Sequence, residues 1–382
     1  MKKRQKLYWK ILRPLVIVFL YLKFGYTFKT AKNLPENFIV LSNHNTDFDP
    51  LLLGVSFKDS IRFVASEHIS RWKFAYKFVD HIFSPIMRPK GTNAASTVKE
   101  MLRTLRGGDN VCMFAEGARS WNGITAPILP STGKVVKSSR CALVTYKITG
   151  GYFTSPLWSK GGTRKGKIHG EVVNIYSAEH ISNMSVDEIN RIISNDLYED
   201  AYARQEAEHN KYKGKHLAEQ MESMVFYCPN CNAIDSLYSS GENVLCKECN
   251  HTFTYDIYGN ISGIKYKNLK ELFVFIRDKV ISDANSKKTY FSDSAKMISV
   301  SNHVESYISE GKLSLNEEKL ICGNKILEIN DIVDFSMHGR NALLLSTKDS
   351  YYEIIVSEET SALKFYMLFQ AYKFGNINRF SY

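Results

Sequence analysis

Residues 37–50 read Asn-Phe-Ile-Val-Leu-Ser-Asn-His-Asn-Thr-Asp-Phe-Asp-Pro. The first part of this segment is a short apolar run with β-branched and aromatic side chains, which predicts a buried strand. Polar residues follow the run, so that His44 emerges just past the end of the strand. Because open α/β sheets bind ligands beyond the carboxyl ends of their strands, His44 is a candidate for chemistry.

Three more runs of similar length and character follow, at residues 61–65, 111–115 and 141–148. Between them, residues 94–106 place apolar side chains on one face at helical spacing. Residues 186–205 read as a polar, acidic helix. Strands that alternate with helices predict an α/β fold with a mostly parallel sheet covered by helices.

Asp49 follows His44 in the same polar segment, and two interpretations of it stand side by side. In the first, Asp49 is the N-cap of a helix that has Pro50 at its first position. In the second, the carboxylate binds one imidazole nitrogen of His44 and leaves the other nitrogen free to take a proton. The chain has no Gly-x-Ser-x-Gly motif, so the substrate would supply the attacking hydroxyl. That favours transfer to an alcohol over hydrolysis.

A second polar block follows the run at 111–115 and reads Phe-Ala-Glu-Gly-Ala-Arg-Ser over residues 114–120. Gly117 allows a close backbone approach, and an arginine such as Arg119 can bind phosphate with two hydrogen bonds. Arg88 and Lys90 supply two more cations before the helix at 94–106. Together Arg88, Lys90 and Arg119 would clamp a phosphomonoester. The alternative is that each is a solvated surface charge.

These blocks, in this order and after these strands, resemble the glycerolipid acyltransferase family, the lysophosphatidic acid acyltransferases in particular. The resemblance covers roughly residues 30–205, with Ala115 where the family usually has Pro. It implies fatty acyl transfer from acyl-CoA or acyl carrier protein to the hydroxyl of a lysophospholipid. It also implies that His44 is the catalytic base and that Asp49 orients it. The substrate-binding residues implied by the resemblance are Arg88, Glu116, Gly117 and Arg119.

Much of the net charge of +11 comes from the amino-terminal segment 1–30, which carries Lys and Arg residues and no acid. Within it, residues 14–22 form an apolar run that is too short for an ordinary membrane span of about 20 residues. A membrane anchor lying in the interface, a short tilted span and a buried helix are the alternatives. The basic flanks favour the anchor, bound to a membrane surface with anionic lipids. The positive-inside rule then places the protein on the cytoplasmic face of a membrane, as a peripheral or monotopic protein.

Four of the seven cysteines form two C-x2-C pairs with the spacing of a zinc ribbon. Four protein ligands fill a tetrahedral site, so the predicted cofactor is a structural zinc ion. A redox pair or an iron site are the alternatives. The ribbon is acidic, which argues against a nucleic-acid partner. The predicted metal ligands are Cys228, Cys231, Cys246 and Cys249.

The 382 residues have ordinary globular composition, with 44% hydrophobic and 23% charged residues. We expect a membrane anchor at 1–30, an acyltransferase domain at 31–205, a linker at 206–223 and a zinc ribbon at 224–262. Residues 263–382 predict a small, mostly-β domain with a C-terminal helix, similar in element order to a pleckstrin-homology domain. The predicted function is synthesis of phosphatidic acid from lysophosphatidic acid in phospholipid biosynthesis. Acylation of another lyso-lipid and a non-catalytic lipid-binding scaffold are the alternatives.

Overall fold

The computed structural model describes residues 3–66, 73–88, 95–287, 291–301, 304–357 and 360–375. The chain divides into two compact units. The first comprises Met1–Pro156 with Thr163–Lys213, and the second comprises Leu157–Gly162 with Gly214–Tyr382. The division therefore falls inside the segment 206–223, which contains the buried side chains of Tyr212 and Leu217.

The first unit is built on one seven-stranded sheet. Its strands are β1 (Tyr26–Phe28), β2 (Phe38–Ser42), β3 (Arg62–Ser66), β4 (Ile86–Arg88), β5 (Val111–Phe114), β6 (Ala142–Thr149) and β7 (Ile168–Tyr176). They lie in the order β1-β7-β6-β2-β5-β3-β4. All neighbours run parallel except β6 and β7, which are antiparallel. The prediction of a mostly parallel sheet is confirmed.

Helices cover both faces of this sheet. They are α1 (Lys3–Phe24), α2 (Asp49–Gly54), α3 (Lys73–Phe83), α4 (Ala95–Arg106), α5 (Thr132–Ser139), α6 (Gly151–Thr154), α7 (Ala178–Asn183), α8 (Val186–Leu197) and α9 (Ala201–Glu208). The single helix predicted over 186–205 is two helices, α8 and α9. Asp200 explains why a second helix begins at Ala201, because its carboxylate accepts the N–H groups of Tyr202 and Ala203 as an N-cap.

Alternate residues of β2 point to opposite faces of the sheet and enter two separate cores. Val40 lies in a core with Leu20 of α1, whereas Leu41 lies in a core with Leu105 of α4 and Val136 of α5. Helix α1 and the pair α4–α5 are therefore on opposite sides of the sheet.

Helix α1 has one buried and one exposed apolar face, and it continues through Pro14. Trp9, Leu20 and Phe24 are buried in the core, and the Arg13 Nε donates to the Val55 carbonyl at 2.9 Å. Among the described residues, no helix has the length and apolarity to cross a membrane. Residues 1 and 2 of the predicted anchor lie outside the described residues. The other face exposes between 56 and 65% of Leu7, Ile11, Leu15, Val18 and Leu22.

The second unit begins with a four-stranded antiparallel sheet that carries the cysteine pairs. Its strands are β8 (Leu237–Ser240), β9 (Asn243–Cys246), β10 (Thr252–Tyr255) and β11 (Ile261–Ser262). Helix α10 (Leu269–Asn285) follows, and the sequence did not lead us to expect it.

A seven-stranded antiparallel sheet and one helix complete the second unit. The elements are β12 (Phe291–Ser301), β13 (Val304–Leu315), β14 (Lys319–Cys322), β15 (Lys325–Glu328), β16 (Asp334–His338), β17 (Ala342–Ser346), β18 (Tyr351–Val356) and α11 (Ala362–Phe374). The strand order is β15-β14-β13-β12-β18-β17-β16. The expected mostly-β domain with a C-terminal helix is confirmed as a fold class.

Helix α11 is held by an ion cluster around a buried lysine. The Lys364 side chain is fully buried, and its ammonium lies 2.5 Å from a carboxylate oxygen of both Asp235 and Asp293. Asp235 follows the first cysteine pair and Asp293 lies on β12, so the cluster joins three parts of the second unit. A buried charge of this kind is stable only while its partners are present.

Candidate active site

The loop between β2 and α2 carries the predicted base and its carboxylate. His44 Nδ1 lies 2.8 Å from Asp49 Oδ2, within hydrogen-bond distance. The Asp49 side chain is fully buried, while 23% of the His44 side chain is exposed. Since Nδ1 faces the carboxylate, Nε2 is the ring nitrogen left to exchange a proton with a bound molecule.

Asp49 also organises the loop around it. Its Oδ2 accepts the N–H groups of Asn45 at 2.6 Å and Thr46 at 3.0 Å, and its Oδ1 accepts the Thr46 hydroxyl at 2.7 Å. The N-cap interpretation is wrong, because Phe48 occupies the N-cap and Asp49 is the first residue of α2. The carboxylate thus faces back into the loop instead of capping the helix.

Phe114 and Glu116, from the end of β5, fix the position of His44. The rings of Phe114 and His44 stack with centroids 4.5 Å apart. Glu116 is buried, and its two carboxylate oxygens accept the N–H of His44 and the N–H of Ala126, each at 2.6 Å. Glu116 therefore holds the backbone beneath the imidazole.

Gly117 forms the tight turn that follows Glu116. Its φ of +69° lies in the left-handed region that favours glycine. Its N–H donates to the Phe114 carbonyl at 3.3 Å, so this N–H closes the turn. The role of Gly117 in substrate binding stays a prediction.

Arg119 contacts the loop between β2 and α2 directly. Its Nε donates to the Asn45 carbonyl at 2.9 Å, and Nη1 donates to Asp47 at 3.0 Å. Its Nη2 donates to the carbonyl oxygen of Ser155, just after α6. The guanidinium is therefore committed to holding the loop, and its predicted contact with phosphate stays a prediction.

Arg88 is the last residue of β4 and is exposed. It lies at the carboxyl end of the sheet, as His44 does, but β5 and β3 separate β4 from β2. No hydrogen bond or ion pair joins Arg88 to another residue within the described ranges. Lys90, the third cation of the predicted clamp, lies outside those ranges.

Asn43 is a supporting residue that the sequence analysis missed. Its side-chain amide donates to the Ile148 carbonyl and accepts the Ile148 N–H, both at 2.8 Å. Asn43 thus extends the pairing of β2 with β6 by one residue and fixes where His44 leaves the sheet. Its place directly before the histidine was the available signal, whereas nothing in the sequence marked Ser155.

The four cysteines of the two pairs come together in the second unit. Their sulfur atoms all lie within 4.8 Å of one another. The Cys228–Cys249 and Cys231–Cys246 sulfur distances are both 3.8 Å. A tetrahedron with zinc–sulfur bonds of about 2.3 Å has edges of about 3.8 Å, so the thiols fit one zinc ion. The cluster is a candidate metal centre.

Hydrogen bonds prepare one of these thiols for a cation. Burial acts to raise the pKa of Cys246, but the Ser236 hydroxyl and the N–H groups of Cys249 and Glu248 outweigh it, and the pKa falls to about 6. The Ser236 Oγ lies 3.2 Å from the sulfur. A thiolate is the form that binds metal.

A family model described as Acyltransferase matches residues 25–149, about a third of the chain. No curated protein matches the chain significantly. Among solved structures, the chain is similar to the 1-acyl-sn-glycerophosphate (LPA) acyltransferase PlsC from Thermotoga maritima. The two are 18% identical, with a TM-score of 0.42 over 52% of this chain and 80% of that chain.

Proposed function

We propose that this protein acylates lysophosphatidic acid to phosphatidic acid, and the match of residues 25–149 to a family model described as Acyltransferase supports this proposal. The donor in this proposal is a fatty acyl thioester. The observation that carries the proposal is the His44–Asp49 pair at the carboxyl end of the sheet, with Nδ1 on a buried carboxylate and Nε2 available. The remaining support comes from the loop that holds this pair in place.

The proposed reaction needs no covalent intermediate on the protein. His44 Nε2 takes the proton from the acceptor hydroxyl while the hydroxyl oxygen attacks the thioester carbonyl carbon. Asp49 stabilises the imidazolium that forms, as a carboxylate does beside a catalytic histidine. The tetrahedral intermediate then expels the thiolate, which takes the proton from His44. The products are an ester and a free thiol.

In this proposal the acceptor phosphate is bound by Arg88, together with Lys90, which follows it in the sequence. Arg88 is exposed and lies at the same edge of the sheet as His44. Arg119 acts first by holding the loop through Asn45 and Ser155. A lysophospholipid with a free phosphomonoester suits an accessible arginine, because arginine binds phosphate bidentately.

We assign α1 the role of an interfacial membrane anchor on the cytoplasmic face. Its exposed apolar side chains lie on one side of the helix, where Leu7, Ile11 and Leu15 are spaced four residues apart. Burying five such side chains in lipid would contribute on the order of 5 kcal/mol, enough for reversible binding. The helix also contacts the catalytic loop, because the rings of Phe19 and Phe48 are 6.4 Å apart. A lipid acceptor would therefore reach His44 from the bilayer surface.

The cofactor in this proposal is one structural zinc ion bound by the four cysteines. Their separations match a tetrahedral site, and all four ligands come from the protein. Zinc here stabilises the second unit and takes no part in acyl transfer.

The test of the proposed activity measures thiol release by purified protein with lysophosphatidic acid and a long-chain acyl-CoA in micelles. We expect turnover by the wild type and its loss in His44→Ala. His180→Ala is the matched control, because this exposed histidine lies on α7, away from the loop. The same assay with other lyso-lipids and with acyl carrier protein as donor identifies the substrates. If a folded and zinc-loaded protein released no thiol with any of these acceptors and donors, the proposed reaction would be refuted.

The membrane assignment is tested by co-flotation with vesicles of phosphatidylcholine and phosphatidylglycerol. We expect the wild type to float with vesicles and the Ile11→Asp/Leu15→Asp variant to remain in solution. Both residues are exposed, so the variant keeps the packed core of α1. Equal binding by the two proteins would contradict an anchor at this face.

A further inference from the structure

A groove lies between α4 and α5 on the side of the sheet opposite α1. Its volume is about 680 Å³. Val98 and Leu102 of α4 and Val135 of α5 supply its apolar floor, and all three are partly exposed. Lys99, Arg103 and Arg106 line the rim on the α4 side.

The surface around this groove is strongly basic. Exposed cations are present at Lys99, Arg103, Arg106, Lys134 and Arg140, whereas Glu100 is the one acid within the two helices. Lys137 of α5 donates instead to the Met184 carbonyl and lies near Glu188 of α8. Glu100 is already used, because it pairs with Arg62 and with Arg103. Within the described ranges, Lys99, Arg106 and Lys134 have no ion-pair partner. An unneutralised basic rim around an apolar floor fits an acidic amphipathic helix.

The position of the groove selects a soluble partner over a membrane. The core beneath α1 contains Leu20 and Val40, and the core beneath α4 and α5 contains Leu41 and Leu105. A flat bilayer that receives α1 cannot also cover the opposite face of the same sheet. The groove therefore faces away from the proposed membrane surface.

The groove also begins near the catalytic edge. Helix α4 follows β4 and α5 follows β5, and both strands run parallel to β2. The amino-terminal ends of both helices therefore lie at the carboxyl end of the sheet, where the His44 loop is. A protein docked along the groove has one end at that edge.

We propose that the α4–α5 groove docks an acidic helix of a soluble protein that carries the acyl thioester. This inference rests on the proposed function, and it assigns the donor to a carrier protein. The apolar face of the acidic helix would cover Val98, Leu102 and Val135, and its carboxylates would meet the lysines and arginines of the rim. Association would be fast and sensitive to salt, as expected for charge-steered docking.

The test compares wild type with Lys99→Glu/Arg106→Glu in the full-length, zinc-loaded protein. Neither residue has an ion-pair partner in the described part of the chain, so reversal removes no internal contact of that kind. The control is Lys32→Glu/Lys58→Glu, which changes the net charge equally at two exposed lysines outside the groove. Unfolding temperature verifies that each variant is folded. Acyl carrier protein is the probe, by calorimetric binding and as the loaded donor in the thiol-release assay.

We expect the groove variant to raise the KM for acyl carrier protein at least about tenfold and to leave acyl-CoA kinetics unchanged. The control should match wild type with both donors. Absence of carrier-protein binding by the wild type, or equal binding by the groove variant, would overturn the proposal. A loss of anionic-vesicle binding in the groove variant would overturn it in favour of a membrane contact.

The binding measurement keeps this inference separate from the proposed function. Groove-dependent binding of the carrier without any acyl transfer would retain the docking site and refute the reaction. Transfer from acyl-CoA without any carrier binding would retain the reaction and refute the docking site.

Discussion

Replacing Asp49 with Asn tests the electrostatic core of the proposed mechanism. Asn has nearly the same shape, so its side-chain oxygen can take the place of Oδ2 and accept from His44, Asn45 and Thr46. Its amide nitrogen can then donate to the Thr46 hydroxyl. In the wild type that hydroxyl donates to Oδ1 of Asp49 at 2.7 Å. The loop is therefore expected to keep its structure and lose only the negative charge. The imidazolium of His44 loses its ionised partner.

The magnitude follows from the loss of one charge-assisted hydrogen bond, which contributes about 1.5–3 kcal/mol. Since each factor of ten in rate corresponds to about 1.36 kcal/mol, kcat/KM should fall about 10- to 150-fold. His44→Ala removes the base itself and should cost about 10²- to 10⁴-fold. The assay is thiol release from acyl-CoA with lysophosphatidic acid in micelles, alongside thermal unfolding of each variant.

Thr46→Val is the matched control, because it removes a hydrogen bond of the same loop and keeps the carboxylate charge. We expect it to lose far less activity than Asp49→Asn. If Asp49→Asn retained activity within about twofold of wild type while His44→Ala was inactive, the carboxylate would not stabilise the imidazolium and the reasoning would be refuted.

Four other outcomes follow from the same structure. Glu116→Gln replaces one of the two acceptor oxygens with an amide NH2 group, so the N–H of either His44 or Ala126 loses its acceptor. We expect the free energy of unfolding to fall by about 1–3 kcal/mol in denaturant unfolding; an unchanged midpoint would contradict this expectation. Metal analysis should find one zinc per chain in the wild type and none in Cys231→Ser, with a lower unfolding temperature; equal metal content would exclude the cysteine site. Lys364→Met leaves the carboxylates of Asp235 and Asp293 without their cation. We expect the free energy of unfolding to fall by about 3 kcal/mol, at the low end for a broken buried pair because Asp235 is partly solvated; an unchanged free energy of unfolding would show that the cluster is dispensable. Burial and the hydrogen bond to Asp196 raise the pKa of Tyr176 from 10.0 to about 12. The unfolded chain therefore loses this proton first, and stability should fall between pH 10 and 12; the same fall in Tyr176→Phe would exclude this tyrosine as the cause.

The His44–Asp49 pair was predictable because its geometry is local. His44 and Asp49 lie in one loop, five positions apart, and a strand end and a helix start bring them together. The cysteine pairs were predictable for a similar reason, because a turn within each C-x2-C motif brings its two cysteines together. At these two sites, the interpretation of Asp49 as an N-cap was wrong. The structure placed Phe48 in that position.

Reasoning from local sequence could not predict the long-range contacts. Arg119 and Glu116 were assigned to substrate from their block and from the family that it resembles. Both instead bind the backbone of a loop more than seventy positions earlier, at Asn45 and His44. Lys364 and Asp235 are still farther apart in sequence, and nothing local predicts their contact.

The sequence by itself determined the α/β class of the first unit, the histidine–carboxylate pair and the cysteine set. Each of these depends on residues within one strand, turn or loop, where periodicity and backbone preference decide the outcome. The tertiary structure alone decided which arginine holds the loop and which remains exposed, and that α1 and the α4–α5 groove lie on opposite faces of the sheet. The physical reason is that the contacts of a side chain depend on which distant strands become neighbours, and the seven-stranded sheet sets that order.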